Sequence, residues 1–165
     1  MKQSIETERK FLIAMPAWED VEKNASVIYD ITQIYLKSPL GITHRIRSLK
    51  SGNCEKYFET LKKRIDKFSS YEDEKEITEE EFARKSQGIS EDSRPIVKKR
   101  ACIQLDKRVF EIDIYPEWKN QAVMEIELQD PNEALAFPDF IKIIREVSGD
   151  KEYTNASLAR RFPSE

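Results

Sequence analysis

The 165-residue chain has one histidine, two cysteines and four glycines. Cys54 and Cys102 stand far apart with no C-x-x-C spacing, which excludes a disulfide framework and a zinc ligand set and reads as two reduced thiols. Charge of one sign is also missing: 28 Lys and Arg stand against 31 Asp and Glu, for a formal balance of −3. A surface built to neutralise nucleic-acid phosphates is strongly basic, so a nucleic-acid polymer is not the expected partner. Long apolar runs are lacking as well. Near the N-terminus the longest is Phe11 to Met15, preceded by Lys2, Glu6, Glu8, Arg9 and Lys10, so neither a secretion signal nor a membrane span is expected, and the chain reads as cytoplasmic.

What is present is length enough for a core and a dominant period of two. A chain of this size buries roughly 70% of the surface its unfolded form exposes, without staples. No repeat or linker composition interrupts it, so residues 1–165 are expected to form a single domain. Alternation predicts strands over 5–13, 27–36, 42–50, 56–65, 71–77, 96–105, 109–115 and 122–128. Their short connections suggest an antiparallel meander able to close into a barrel. Helices are expected after the capping box Thr78-x-x-Glu81, after Asp130-Pro131 with Glu133, and over the run from Asp139, where Phe140, Ile141, Ile143, Ile144 and Val147 share an apolar face.

Each strand sorts its side chains by chemistry. Glu6, Glu8 and Lys10 oppose Ile5, Phe11 and Ile13; Arg45 and Arg47 oppose Ile42, His44 and Ile46. Lys98 and Arg100 alternate with Val97, Ala101 and Ile103; Glu111 and Asp113 oppose Phe110, Ile112 and Ile114; Glu125 and Glu127 oppose Met124, Ile126 and Leu128; Glu72, Glu74 and Glu76 share a face. An open sheet with its charged face in water accounts for this pattern. The same-sign pairs with little Ser, Thr or Asn between them strain that reading, because their repulsion calls for solvation or a bound partner to compensate it. Were the charged faces turned inward, carboxylates would hold a hard divalent cation and guanidinium forks would hold phosphate oxygens, the two needs of a metal-chelated polyphosphate.

The string Glu6-Thr7-Glu8-Arg9-Lys10 resembles the ExExK signature of the CYTH superfamily, the triphosphate tunnel metalloenzymes. THRIRSLKSG with its RxR pair, YFETLKKR with T-x-K, EDEKEI, VKKR with K-x-R, FEIDIY with its Asp, MEIEL with ExE and a closing Y-x-N follow in the family's order. The chain departs at Asn120-Gln121-Ala122-Val123, where the family often has a Gly-Leu pair. The resemblance implies a mainly β (α+β) fold, an eight-stranded antiparallel β-barrel forming a tunnel with surrounding helices. It implies Mg²⁺ or Mn²⁺ dependence and hydrolysis or cyclisation of a small triphosphate, with a homodimer among the assemblies allowed. It implies metal ligands at Glu6, Glu8, Glu72, Glu74, Asp113, Glu125 and Glu127, and phosphate ligands at Lys10, Arg45, Arg47, Lys62, Lys98 and Arg100. Glu6, Glu8, Lys10 and Asp113 would carry catalysis. Lys62 is preferred to Lys63 because it shares parity with Thr60.

The first-choice activity is a metal-dependent triphosphatase acting on inorganic triphosphate, as in bacterial single-domain members. A class IV type adenylyl cyclase, a thiamine triphosphatase and a non-catalytic polyphosphate or nucleotide binder are the alternatives. His44, by parity, belongs on the apolar side and is not a catalytic base. Cys102 shares parity with Lys98 and Arg100, a neighbourhood able to lower its pKa, although a packing role is the better reading. Tyr153 and Asn155 are expected either to pack a terminal helix against the tunnel in a structural role or to serve as ligands there.

Overall fold

The computed structural model describes residues 2–165. Nine strands form it: β1 (Lys2–Ala14), β2 (Ala25–Leu36), β3 (Ile42–Ser51), β4 (Cys54–Arg64), β5 (Ser69–Ile77), β6 (Ile96–Leu105), β7 (Arg108–Ile114), β8 (Gln121–Glu127) and β9 (Ile143–Glu146). Three short helices accompany them, α1 (Trp18–Asn24), α2 (Glu79–Ser86) and α3 (Asn155–Leu158). No helix among the described residues is long and apolar enough to cross a membrane.

All pairings are antiparallel, in the order β5-β4-β3-β2-β6-β7-β8-β1, and a β1–β5 pairing closes the ring into an eight-stranded barrel. Tight turns set the register. Ser51 pairs with Cys54 across a two-residue connection whose first residue, Gly52, has φ +59°, the conformation a type II′ hairpin requires of its first central residue.

β1 changes partner along its length. Residues 2–7 pair with 69–74 of β5; beyond them Phe11–Ile13 pair with β9, while Glu8–Ala14 pair with β8 throughout. This edge explains the first difference from the sequence. The run expected to be a helix over 139–147 instead reaches β1 in extended form, because the backbone of β1 left by β5 needs a partner there, and Ile143–Glu146 supplies it. The helix expected after Asp130 is also absent. The turn forms, with the Asp130 backbone N–H donating to Glu133 Oε1 at 3.0 Å, but residues 133–138 run on as an extended strap. Phe137 of that strap meets Phe11 and Phe110 with ring centroids 5.2 and 6.0 Å apart, so outward apolar residues of β1 and β7 are covered by chain without helix. The capping box at Thr78 and Glu81 does open α2, which lays Phe82 over Ile34, Ile46 and Ile77. α1, unforeseen, seats a fully buried Val21 in the outer cluster that holds Phe11, Ile103 and Phe110.

Inside, one end of the barrel is filled. Leu12, Val123, Ile96 and Tyr35 lie on the inward faces of their strands and pack with Tyr115, Trp118, Tyr153, Leu158 and Phe162 into an aromatic cluster. The ionisable residues line the remaining length.

Candidate active site

Charged side chains alternate with the outer core on seven of the eight barrel strands, β2 being the exception, so closing the barrel with its apolar faces outward sends them to the lumen. The result is a cavity of about 500 Å³. Glu6, Glu8 and Lys10 of β1 line it, with Arg45 and Arg47 of β3, Lys62 of β4, Glu72 and Glu74 of β5, Arg100 of β6, and Glu125 and Glu127 of β8. The structure therefore gathers every expected site residue except Lys98 and Asp113.

Those two lie beneath the lining. Asp113 is wholly inaccessible, and both its oxygens are taken: Arg100 donates through Nε at 2.7 Å and Nη2 at 2.8 Å, and Lys98 Nζ at 2.7 Å. Burial alone would raise the Asp113 carboxyl, but Arg100 and Lys98 outweigh it and hold it below its ordinary value. Burial pulls Lys98 down to about 8 despite its partner. In this arrangement Asp113 offers no free oxygen to a metal; it fixes the guanidinium of Arg100, which reaches on to Glu111 at 2.7 Å and Glu125 at 3.5 Å. Arg100→Ala is accordingly expected to lose about 3–5 kcal/mol of stability, the scale for one partner removed from a buried ion pair. Thermal unfolding at neutral pH measures it, and an unchanged midpoint would show that Lys98 alone suffices for Asp113.

The remaining lining is sorted into paired and unpaired charges. Lys10 Nζ lies 3.0 Å from Glu125 and donates to the Tyr153 carbonyl at 3.4 Å. Lys62 donates to Glu6 at 2.6 Å, and Arg47 to Glu74 at 3.2 Å. For Glu125, burial is outweighed by Lys10 and Arg100, which keep it well below the ordinary carboxylate range. Glu8 is different. Among the described residues its carboxylate makes no ion pair or hydrogen bond, and burial, reinforced by the charge of Glu125, pushes it up to about 7. Burial raises Glu72, Glu111 and Glu127 too, each with a neighbouring carboxylate adding to it. On the basic side Arg45 has no carboxylate partner among the described residues, and its buried Nε has no hydrogen-bond acceptor. Burial and the nearby charges of Arg45 and Arg100 pull Arg47 down to about 10.

Several lining residues escaped the sequence reading. Glu111 lines the cavity opposite Glu125 in register, a placement its parity with Asp113 signalled. Arg64 follows Lys62 at the same parity. Asn155 also lines the cavity, but α3 is only four residues long, and Asn155 Oδ1 accepts from the Tyr115 hydroxyl at 2.6 Å while Tyr153 sits in the aromatic cluster. Cys102 corrects an expectation: burial pushes its thiol up to about 11, against the lowering its basic neighbours suggested. His44 faces outward as expected, its Nε2 lying 2.8 Å from Glu59.

A divalent cation fits this lining by donor chemistry, since its under-neutralised acids offer carboxylate oxygens, the donors a hard cation takes. Among the described residues no three His, Cys, Asp or Glu side chains form a ready-made cage. Mg²⁺ does not need one, because it takes one or two carboxylates and completes its shell with water and phosphate oxygens.

No family model matches the chain. It is similar to the inorganic triphosphatase of Acetivibrio thermocellus, 28% identical over 157 residues that span 94% of this chain and 93% of that protein. Among solved structures it is similar to the inorganic triphosphatase NE1496, with a TM-score of 0.59 and 27% identity over 96% of this chain and 97% of that one. A conserved hypothetical protein from Pyrococcus furiosus matches with a TM-score of 0.56 and 25% identity, over 76% of this chain and 80% of that one. Strand order, charged lumen and these similarities agree with the motif resemblance to the CYTH superfamily.

Proposed function

We propose that the lumen hydrolyses a metal-chelated triphosphate, inorganic triphosphate being the substrate. The observation that carries this is the coexistence, in one closed barrel, of a guanidinium without a carboxylate partner, Arg45, and a carboxyl without a cationic one, Glu8. A lone anion would satisfy the first and a lone cation the second; a chelated polyphosphate satisfies both. The similar proteins named as inorganic triphosphatases support the same reading.

Arg45, Arg47 and Lys62 grip the phosphate oxygens, with Arg45 free to offer its planar fork without first giving up an ion pair. Lys10, anchored by Glu125 and the Tyr153 carbonyl, presents its charge to the transferring phosphoryl. Glu8, with Glu6, Glu125 and Glu127, is positioned to hold Mg²⁺ or Mn²⁺ against the same phosphates; Glu72 and Glu74 are further acids beside Arg45 and Arg47. When bound, the ion supplies neutralising charge to the phosphates and acidity to a water. Asp113 acts through Arg100 as a positioning residue. Water is the nucleophile.

Among the described residues the lining offers one aromatic side chain, Tyr35, and few apolar ones, Ile42 and Ala156, against thirteen charged groups, which favours the bare polyphosphate over ATP and hydrolysis over cyclisation. In this reading the partner is a small molecule rather than a nucleic acid or a membrane, and the enzyme works in the cytoplasm. The test is phosphate release with Mg²⁺ or Mn²⁺ over triphosphate, ATP and thiamine triphosphate, with cyclic AMP assayed in parallel. Fastest release from triphosphate, abolished by exhaustive chelation, is expected. Full turnover in chelator, or cyclic AMP as the main product, would overturn it.

A further inference from the structure

Two guanidiniums that line the cavity have no carboxylate within ion-pair distance among the described residues. One is Arg45, deep on β3. The other is Arg64, the last residue of β4. Lys10, Arg47, Lys62 and Arg100 all spend part of their hydrogen-bonding capacity on a lumen acid, so an incoming anion must compete for them. Arg64 does not.

Its position is nevertheless fixed. Arg64 Nη1 donates to the backbone carbonyls of Lys67 at 3.0 Å and Asp66 at 3.4 Å, both in the turn that joins β4 to β5. The one carboxylate in that turn is turned away: Asp66 Oδ1 accepts the backbone N–H groups of Phe68 and Ser69, each at 2.8 Å. Those bonds hold the Asp66 carboxyl below its ordinary value. The turn therefore holds a guanidinium at a set place without neutralising it. Asp66 attracts Arg64 only from beyond ion-pair distance, and an anion that enters from solvent can pair with the guanidinium directly.

The place is the mouth. Arg64 follows Lys62 by two residues on the same inward face, pairs in register with Ser70, and is exposed where Arg45 is enclosed. It borders both the main cavity and a small side recess, lined also by Glu8, Lys10, Lys67 and Thr154. The basic wall thus runs from Arg45 past Lys62 to Arg64, from the interior outward.

We propose that Arg64 is a further substrate-binding residue, which contacts the outermost phosphate of a chain whose inner phosphates sit at Arg45 and Lys62, so that it favours triphosphate over pyrophosphate. This rests on the function proposed above and adds to it a determinant of chain length. A diphosphate held at Arg45 is too short to reach the mouth and gains nothing from Arg64.

The test compares parent, Arg64→Ala and Arg64→Lys proteins, with steady-state hydrolysis of triphosphate and competition by pyrophosphate, both with Mg²⁺. Arg64→Ala is expected to raise KM for triphosphate about tenfold, the factor equivalent to 1.4 kcal/mol, with kcat within twofold and the inhibition constant of pyrophosphate unchanged. Arg64→Lys, which keeps the charge but not the fork across two carbonyls, should recover part of the loss. An unchanged KM, or equal losses for triphosphate and pyrophosphate, would overturn the inference and leave Arg64 as a cap of the turn. A parent protein that neither binds nor hydrolyses triphosphate would overturn the proposed function itself, and with it this one.

Discussion

Glu8→Gln is expected to abolish turnover and, without metal at pH 8, to melt several degrees above the parent protein. The substitution keeps size and removes a charge that Lys10 and Lys62 offset only in part. Burial, with Glu125 beside it, makes the folded chain hold the Glu8 proton more tightly than the unfolded chain does, with a folded value of about 7 against an ordinary 4.5. Between those two values the folded state is the more protonated. Stability linked to this group is therefore complete below pH 4.5, declines as pH rises, and is lost above about pH 7. Allowing for partial solvent screening, the penalty at pH 8 is on the order of 2 kcal/mol. That corresponds to several degrees for a domain of this size. Melting curves at pH 5 and pH 8 check it: the variant should gain at pH 8 and match the parent at pH 5. Added Mg²⁺ or Mn²⁺ should stabilise the parent more than the variant, since the cation relieves the same charge. Equal midpoints at both pH values would show that Glu8 is already neutralised, and wild-type turnover would remove it from the site.

Arg45→Ala should act on the ligand and spare the fold. A guanidinium that clamps phosphate is worth roughly 3–4 kcal/mol of transition-state stabilisation when lost, or about 10²–10³ in rate. Among the described residues Arg45 has no carboxylate within ion-pair distance; its removal relieves the repulsion that helps pull Arg47 down to about 10 and gives up only the longer-range attraction of Glu72, Glu6 and Glu74. The melting temperature without ligand should stay level or rise. With triphosphate and Mg²⁺ at about 100 times the dissociation constant, the parent should gain about 2.7 kcal/mol, and the variant should lose most of that shift. Arg45 and Arg100 look equivalent by strand parity, yet their variants are expected to behave in opposite ways. A large drop in the ligand-free melting temperature of Arg45→Ala would mark it as structural.

That contrast shows what the sequence discloses and what it withholds. Period-two alternation located all eight barrel strands, because a barrel wall has one wet and one dry face at every residue, and it sent Glu6, Glu8, Arg45, Arg47, Glu125 and Glu127 to one side. Alternation says nothing of depth along the barrel axis. Leu12 has the parity of Lys10, and Tyr35 that of Gln33, yet Leu12 and Tyr35 belong to the aromatic cluster that fills one end. Asp113 and Lys98 have the parity of the lining and lie below it. The pairing partner of each charge was equally hidden, since Arg100 meets Asp113 only through the β6–β7 register. The segment 139–147 misled for another reason. Its apolar spacing suits a helix, but the vacant edge of β1 lies more than 120 residues away in sequence, and only the assembled fold supplies that partner.

The partner exchange within β1 bears on how the chain reaches this state. Its first strand bonds to the fifth, the eighth and the ninth, pairing Phe11 with Glu146 across nearly the whole length of the molecule. Loop-closure entropy is lost before such distant pairs can form, which slows folding. During synthesis the first strand emerges earliest and can complete its pairings only when residues 143–146 arrive. Until residues 69–74 and then 121–127 arrive its charged part is an unpaired edge, and charges at Glu6, Glu8, Arg9 and Lys10 are the feature that keeps such an edge from recruiting a stray strand. The carboxylates that strain the finished lumen thus protect the chain before there is a lumen to strain.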